Sequence, residues 1–121
     1  MSEARKADVT GNVGSRVVFE NDKVIVWDFE LQPGEETEMH RHDKSYIWYA
    51  IQGGPLDCED EHGNDLGVFD VPTGSVFNIK YADGQLEVLS DIAKGTLFPA
   101  THKAKNAGSV PYREILIEFK D

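Results

Sequence analysis

His40 and His42 stand in the tetrapeptide Met39-His40-Arg41-His42, with one residue between them. Residues i and i+2 of an extended strand project from the same face. Both imidazoles therefore point to one side, and Glu38 joins them if the strand begins early enough. Two imidazoles placed this way can share a metal ion, or act as a base and its neighbour. The same pair also fits two surface histidines at a strand edge. Tyr46 lies four residues beyond His42 on the same parity, which sets a hydroxyl donor beside a candidate base. A neutral imidazole, with a pKa of about 6.5, is available as a base at neutral pH. Such a pair suits abstraction of a proton next to a carbonyl, followed by departure of a β-hydroxyl. The base takes the acidified hydrogen, a donor stabilises the enolate oxygen, and an acid protonates the leaving oxygen. General acid–base assistance of this kind supplies about 10²–10⁴-fold per group. Oriented donors at the enolate oxygen add a comparable factor.

The elements that must hold these residues read as short strands punctuated by turns. RVVFE (16–20) and KVIVWDFEL (23–31) are rich in β-branched and aromatic residues, and Asn21-Asp22 between them signals a tight turn. Pro33-Gly34 is a second turn. SYIWYAI (45–51) follows and is closed by Gly53-Gly54-Pro55. GVFDV (67–71), SVFNIKY (75–81), LEVL (86–89) and TLF (96–98) are further strands, separated by Pro72-Thr73-Gly74, Ala82-Asp83-Gly84 and Lys94-Gly95. The chain ends in YREILIEF (112–119), where Ile115, Ile117 and Phe119 alternate with polar neighbours. No amphipathic stretch has the length and period of a helix. Many short strands at this spacing predict an all-β sandwich or barrel.

With 121 residues the chain is predicted to form one domain over 13–121 behind a flexible lead-in at 1–12. That length has no room for a core plus a separate cofactor domain. Acidic residues number 22 against 12 basic, for a net charge of −10. A field of that sign repels polyanions and argues against nucleic-acid partners. Small neutral or cationic molecules are the easier ligands. No run of apolar residues is long enough to span a bilayer, and the N-terminal MSEARKADVT lacks the apolar core of a secretory signal. The single cysteine, Cys58, cannot form an internal disulfide. A cytoplasmic location is the expectation that follows.

Pro33-Gly34, five residues, His40-x-His42, three residues, Tyr46, six residues and Gly53 follow one another in order. This run resembles the first motif of the cupin family, G-x5-HxH-x3,4-E-x6-G, at every fixed position but one. Tyr46 stands where cupins carry a metal-binding glutamate. Thr101-His102, three residues, Asn106-x-Gly108 resembles the second motif with its H-x3-N ending, although the usual P-x-G ahead of it is reduced to Pro99-Ala100-Thr101. A rival placement puts Pro72-Thr73-Gly74 in the second motif, with Phe77 in the histidine's place. Pro111 to Glu118 looks like the closing cupin strand.

The resemblance, over roughly 16–120, implies a cupin double-stranded β-helix, a jelly-roll barrel with His40, His42 and His102 converging inside it. Loss of the glutamate removes a negative charge from the ligand set, and a phenol with a pKa of about 10 is a poor ligand unless the metal ionises it. Two outcomes follow. His40, His42 and His102 alone hold Fe²⁺ or Zn²⁺, as in three-histidine cupin dioxygenases. Alternatively there is no metal and no other cofactor, and the crowded imidazoles keep at least one of their number neutral and free to act as a base.

The second outcome resembles the cupin-type dehydratases of pacidamycin-type uridyl peptide antibiotic biosynthesis, which convert uridine-5′-aldehyde to a 3′-deoxy-4′,5′-unsaturated product. It implies a carbon–oxygen lyase working without metal by E1cB elimination. His42 is then the base, Tyr46 the donor or acid, and His40 and His102 line the substrate site. Trp48 and Phe98 could receive the uracil ring, and Arg16 could bind a carbonyl or hydroxyl oxygen. The likeness implies a monomer and a neutral nucleoside substrate. A non-catalytic small-ligand-binding cupin is the third reading. His62 in EHGND reads as a solvated hairpin tip, and the acidic run DCEDE (57–61) as a solvated loop without the spacing of a calcium loop.

Overall fold

The computed structural model describes residues 10–120, and eleven β-strands carry its regular structure. They are β1 (Arg16–Glu20), β2 (Val24–Leu31), β3 (His40–Arg41), β4 (Tyr46–Gln52), β5 (Gly54–Asp60), β6 (Asp65–Val71), β7 (Val76–Ala82), β8 (Gln85–Val88), β9 (Leu97–Pro99), β10 (Thr101–Asn106) and β11 (Tyr112–Phe119). Among the described residues there is no helix, so none is long and apolar enough to cross a membrane. The strands form a seven-stranded sheet in the order β1-β2-β11-β4-β7-β8-β9 and a four-stranded sheet in the order β3-β10-β5-β6. Every pairing between named strands is antiparallel. The core fills the space between the two sheets, where Trp27, Phe29 and Leu31 of β2 meet Trp48 of β4, Phe77 and Ile79 of β7 and Leu56 of β5.

Alternation explains most of these strands. On β2, Trp27, Phe29 and Leu31 turn inward at every second position. Asp28, between them, is covered from outside by two guanidinium groups: Arg113 Nε donates to its Oδ1 at 3.3 Å, and Arg16 Nη2 lies 3.5 Å from its Oδ2. On β11 the alternation runs opposite to its apolar pattern. Tyr112, Glu114, Leu116 and Glu118 are buried, whereas Ile115 and Ile117 are half-buried and Phe119 is exposed. Two carboxyl groups thus enter the barrel from this strand.

The acidic run is a correction to the sequence reading. Asp57, Glu59 and Asp60 belong to β5, not to a solvated loop. Across the ladder, Lys103 of β10 pairs with Glu59, and Lys105 with Asp57. Lys103 Nζ lies 3.4 Å from Glu36 and 3.9 Å from Glu59. Opposite charges facing each other across a strand pair support a sequence that propensity alone reads as a loop. The expected lead-in over 1–12 falls mostly outside the described residues; within them, Thr10 N donates to Met39 O and Arg41 N donates to Thr10 O.

Two glycines answer different backbone demands, one a turn and one a close approach. Gly34 turns the chain with φ of +83°, a conformation that suits glycine. At Gly53 a Cβ would sit 1.9 Å from the carbonyl oxygen of Val71, so only hydrogen fits there. Gly53→Ala is expected to destabilise the protein by about 1–3 kcal/mol through overpacking against rigid backbone. Urea unfolding at neutral pH measures this as a lower midpoint with an unchanged slope.

Candidate active site

The segment 34–42 runs antiparallel along the segment 100–106, and this pairing builds the site. Gly34 N donates to Asn106 O and Asn106 N to Glu35 O, both at 2.9 Å. Thr37 N donates to Ala104 O at 2.8 Å, and Ala104 N donates to the Thr37 hydroxyl at 3.0 Å. His40 and His102 then face each other directly across the ladder, and His42 N donates to Ala100 O at 2.9 Å. The buried Asn106 side chain anchors the far end. Its amide donates to Leu31 O and Val110 O, and its oxygen accepts from Gly108 N. Asn106 of the second motif is therefore a brace.

The three imidazoles form a compact triangle. Ring centroids are 5.1 Å apart for His40–His42, 4.8 Å for His40–His102 and 5.1 Å for His42–His102. One ring nitrogen from each lies within 4.8 Å of the others, the one such group of histidine, cysteine or carboxyl ligands among the described residues. The rings are 4 %, 3 % and 7 % exposed, so they are shielded from bulk water. Two of them are oriented by backbone. His40 Nδ1 bonds to Glu38 O at 3.0 Å, and His102 Nδ1 bonds to Pro99 O at 2.7 Å. A carbonyl oxygen can only accept, so Nδ1 carries the hydrogen in both rings and Nε2 keeps its lone pair. His42 differs: its buried Nδ1 has no partner among the described residues.

Burial sets the protonation of the whole cluster. Desolvation pushes His42 well below the ordinary imidazole value, helped by repulsion from His102 and His40. It lowers His40 against the opposing bond to Glu38 O. His102 falls to about 4, chiefly by desolvation and then by the charge of His40. All three are neutral at physiological pH. Tyr46 stacks on His42 with ring centroids 4.5 Å apart. Desolvation, then the nearby Glu114 and Glu118 carboxyls, hold its hydroxyl well above the usual phenol value. Tyr46 therefore remains a hydrogen-bond donor.

The rings border a cavity of about 160 Å³. Trp48, Phe98, Leu56, Phe69 and Cys58 also line it. Trp48 and Phe98, expected to receive a ring, both reach it, with Phe98 5.6 Å from the His102 ring. Trp48 is also core, stacked on Phe77 at 4.6 Å. Phe77 thus has a packing role, and His102 takes the second-motif histidine position. Arg16 is a correction. It sits on β1 at the edge of the seven-stranded sheet, its side chain is 68 % exposed, and it pairs with Asp28 away from the cavity. Burying a guanidinium would cost its hydration, and the edge strand gives it solvent instead. His62 lies in the exposed turn between β5 and β6.

One cavity residue escaped the sequence reading. Glu114 lines the same space as the histidines and is buried. Tyr112 donates its hydroxyl hydrogen to Glu114 Oε1 at 2.5 Å. Desolvation raises the Glu114 carboxyl to about 8, against the opposing effect of that bond. Nothing in a Tyr-Arg-Glu-Ile-Leu-Ile-Glu-Phe pattern marks this glutamate as inward-facing.

No family model matches the chain, and no curated protein sequence matches it. Solved structures do. A cupin domain from Bordetella pertussis Tohama I superposes with a TM-score of 0.63 and 22 % identity, over 88 % of this chain and 91 % of that one. A double-stranded β-helix protein from Klebsiella pneumoniae gives 0.52 and 18 % identity, over 93 % and 84 %. The polyketide cyclase RemF from Streptomyces resistomycificus gives 0.51 and 14 % identity, over 88 % and 63 %. The fold is the cupin double-stranded β-helix.

The titrations give the metal-free protein a characteristic pH profile. His102 is neutral when folded and charged when unfolded between about 4 and 6.5, and burial lowers His40 and His42 in the same direction. Their contribution to stability therefore grows as pH rises through that interval. Glu114 acts in the opposite sense. It is protonated when folded and ionised when unfolded between 4.5 and about 8, so its contribution falls as pH rises there. Urea melts at stepped pH should show that His102→Asn weakens the upward component between pH 4 and 6.5, to which His40 and His42 still contribute, and leaves the decline toward pH 8 unchanged.

Proposed function

We propose that this chain is a cupin-fold lyase that holds a divalent cation on His40, His42 and His102 and removes water from a small neutral carbonyl compound. The observation that carries this reading is the convergence of three neutral, buried imidazoles, two of them oriented by backbone carbonyls so that Nε2 keeps its lone pair. Neutral imidazole is the ligand form, and imidazole sites suit Zn²⁺ and Fe²⁺. The Nε2 lone pairs of His40 and His102 border a cavity that a shared cation could enter. Bound there, such an ion supplies Lewis acidity toward a carbonyl oxygen.

The chain's own residues supply the rest. Trp48 and Phe98 offer apolar walls to the carbon skeleton. Tyr46, kept as a phenol by its surroundings, donates a hydrogen bond beside the histidines. Burial of the triangle excludes bulk water, which strengthens each of these interactions. Protonatable groups around the cavity favour proton transfer over redox chemistry as the use of the site.

A second reading keeps the elimination and dispenses with the metal. It is favoured by His42 alone among the three: its Nδ1 is unpartnered and its ring lies against Tyr46. In that reading His42 abstracts the proton next to the aldehyde of uridine-5′-aldehyde, and a hydroxyl leaves as water.

Elemental analysis of protein purified without chelator decides between them. The first reading expects one equivalent of zinc or iron, with at least about a 100-fold weaker affinity when any one of His40, His42 or His102 becomes alanine. Turnover of uridine-5′-aldehyde by metal-free protein, lost in His42→Gln, would establish the second reading and displace the first.

A further inference from the structure

Glu114 is a buried carboxyl group whose one side-chain hydrogen-bond partner among the described residues is Tyr112. It lies on β11 opposite Ala50 of β4 and lines the cavity that the three histidines border. Burying a carboxyl without a cation is costly, and no basic side chain faces it. The basic groups nearest in sequence and register, Arg113 and Arg16, sit on the outer side with Asp28. The groups that do face it are Tyr112 on its own strand and Tyr46 and Trp48 on β4; Cys58 on β5 and the three neutral histidines share its cavity. Glu114 is also absent from the set of ligand atoms that converge within 4.8 Å, so it does not replace the glutamate lost at position 46.

We infer that Glu114 is the proton donor of this cavity, a neutral carboxylic acid oriented by Tyr112 toward substrate bound at the histidines. The inference rests on the lyase reading and names the acid it requires. Oε1 accepts the Tyr112 hydrogen bond, so the carboxyl proton resides on Oε2. In the reaction the Oε2–H bond breaks and its electron pair stays on the carboxylate. The C–H bond next to the carbonyl breaks, its proton passing to a water molecule and its electron pair forming the new C=C bond. As the bond from carbon to the departing oxygen breaks, a new O–H bond forms on that oxygen, which leaves as water. The Tyr112 hydroxyl steadies the carboxylate so formed, and solvent restores the proton after product leaves. Tyr112 is a positioning residue. It has no exposed surface and is fixed edge-on to Phe29, with ring centroids 5.8 Å apart.

The test titrates the full, metal-free chain carrying carboxyl-labelled glutamate, and follows turnover of the same chain with Zn²⁺ added. NMR should show one carboxyl titrating near pH 8. That signal should vanish in Glu114→Gln and titrate higher in Tyr112→Phe, because the Tyr112 bond favours the ionised form. Against a panel of β-hydroxy aldehydes and ketones, with loss of water followed by mass spectrometry, Glu114→Gln should lower kcat by about 10²–10⁴-fold. Its zinc content should not change. Tyr112→Phe should move the alkaline limb of the kcat profile upward in the same direction as the NMR titration. A Glu114 carboxyl that titrates near the ordinary value of about 4.3, or a kcat untouched by Glu114→Gln, would overturn the inference while zinc binding still stood. Failure of the unaltered chain to take up zinc would instead strike at the metal reading, and the Glu114 titration, made on the metal-free protein, would still decide the inference.

Discussion

The antiparallel pairing of 34–42 with 100–106 is the constraint on which the site depends. It joins two segments that are almost sixty residues apart in sequence, and its register places His40 directly opposite His102. The side-chain period of a strand is two, so a slip of one residue on either side would turn its histidine out of the barrel. Several devices prevent that slip. Gly34 supplies the turn, Thr37 is bonded to Ala104 through both backbone and side chain, and Asn106 ties the end of β10 to β2 and to the following loop. Ala104 only lines the cavity, and Gly34, Thr37 and Asn106 do not reach it. Together they fix the positions of those that do.

The same architecture sets the electrostatics. The chain carries a net charge of −10, yet every ionisable side chain facing the cavity is neutral near physiological pH. Imidazoles are driven down, the Tyr46 phenol is driven up, and the Glu114 carboxyl keeps its proton. Desolvation is the largest cause in each case. Surface charges are organised separately, as cross-strand pairs of β5 with β10 and as two guanidinium groups over Asp28. The interior can therefore present lone pairs and O–H donors to a neutral ligand without a fixed ion of its own.

What was legible in the sequence follows from what each strand buries. β2, β4 and β7 bury aromatic and β-branched residues at every second position, and their limits were readable to within a residue. The HxH parity was readable for the same reason. β10 was not, because its inward side chains are Thr101, His102, Ala104 and Asn106, which carry no apolar alternation. β5 was obscured by acidic residues whose partners are lysines on another strand. On β11 the apolar residues mislead, since Ile115, Ile117 and Phe119 lie toward the outer face and two glutamates lie within. Arg16 opened a recognisable strand, but nothing local indicates that this strand forms an edge.

Glu114 and Tyr46 are best understood as a pair of displaced functions. The cupin motif that residues 34–53 resemble has a carboxylate where Tyr46 stands, next to the histidines, where it would neutralise part of a bound cation's charge. Here a phenol occupies that position and stacks on His42. A carboxyl survives on the neighbouring strand, opposite Ala50, four residues along β4 from Tyr46. The move changes what the carboxyl can do. As a ligand it would ionise; outside the histidine ligand set, with Tyr112 as its one side-chain hydrogen-bond partner among the described residues, burial in the metal-free protein favours its protonated form. A three-histidine set without that carboxylate leaves a bound divalent ion its full charge, which strengthens polarisation of a carbonyl oxygen. In the lyase proposed above, the two residues would act in concert: Tyr46, by not being a carboxylate, would leave the pull on the substrate's electrons undiminished, and Glu114 would keep an acid at hand for the oxygen that must leave.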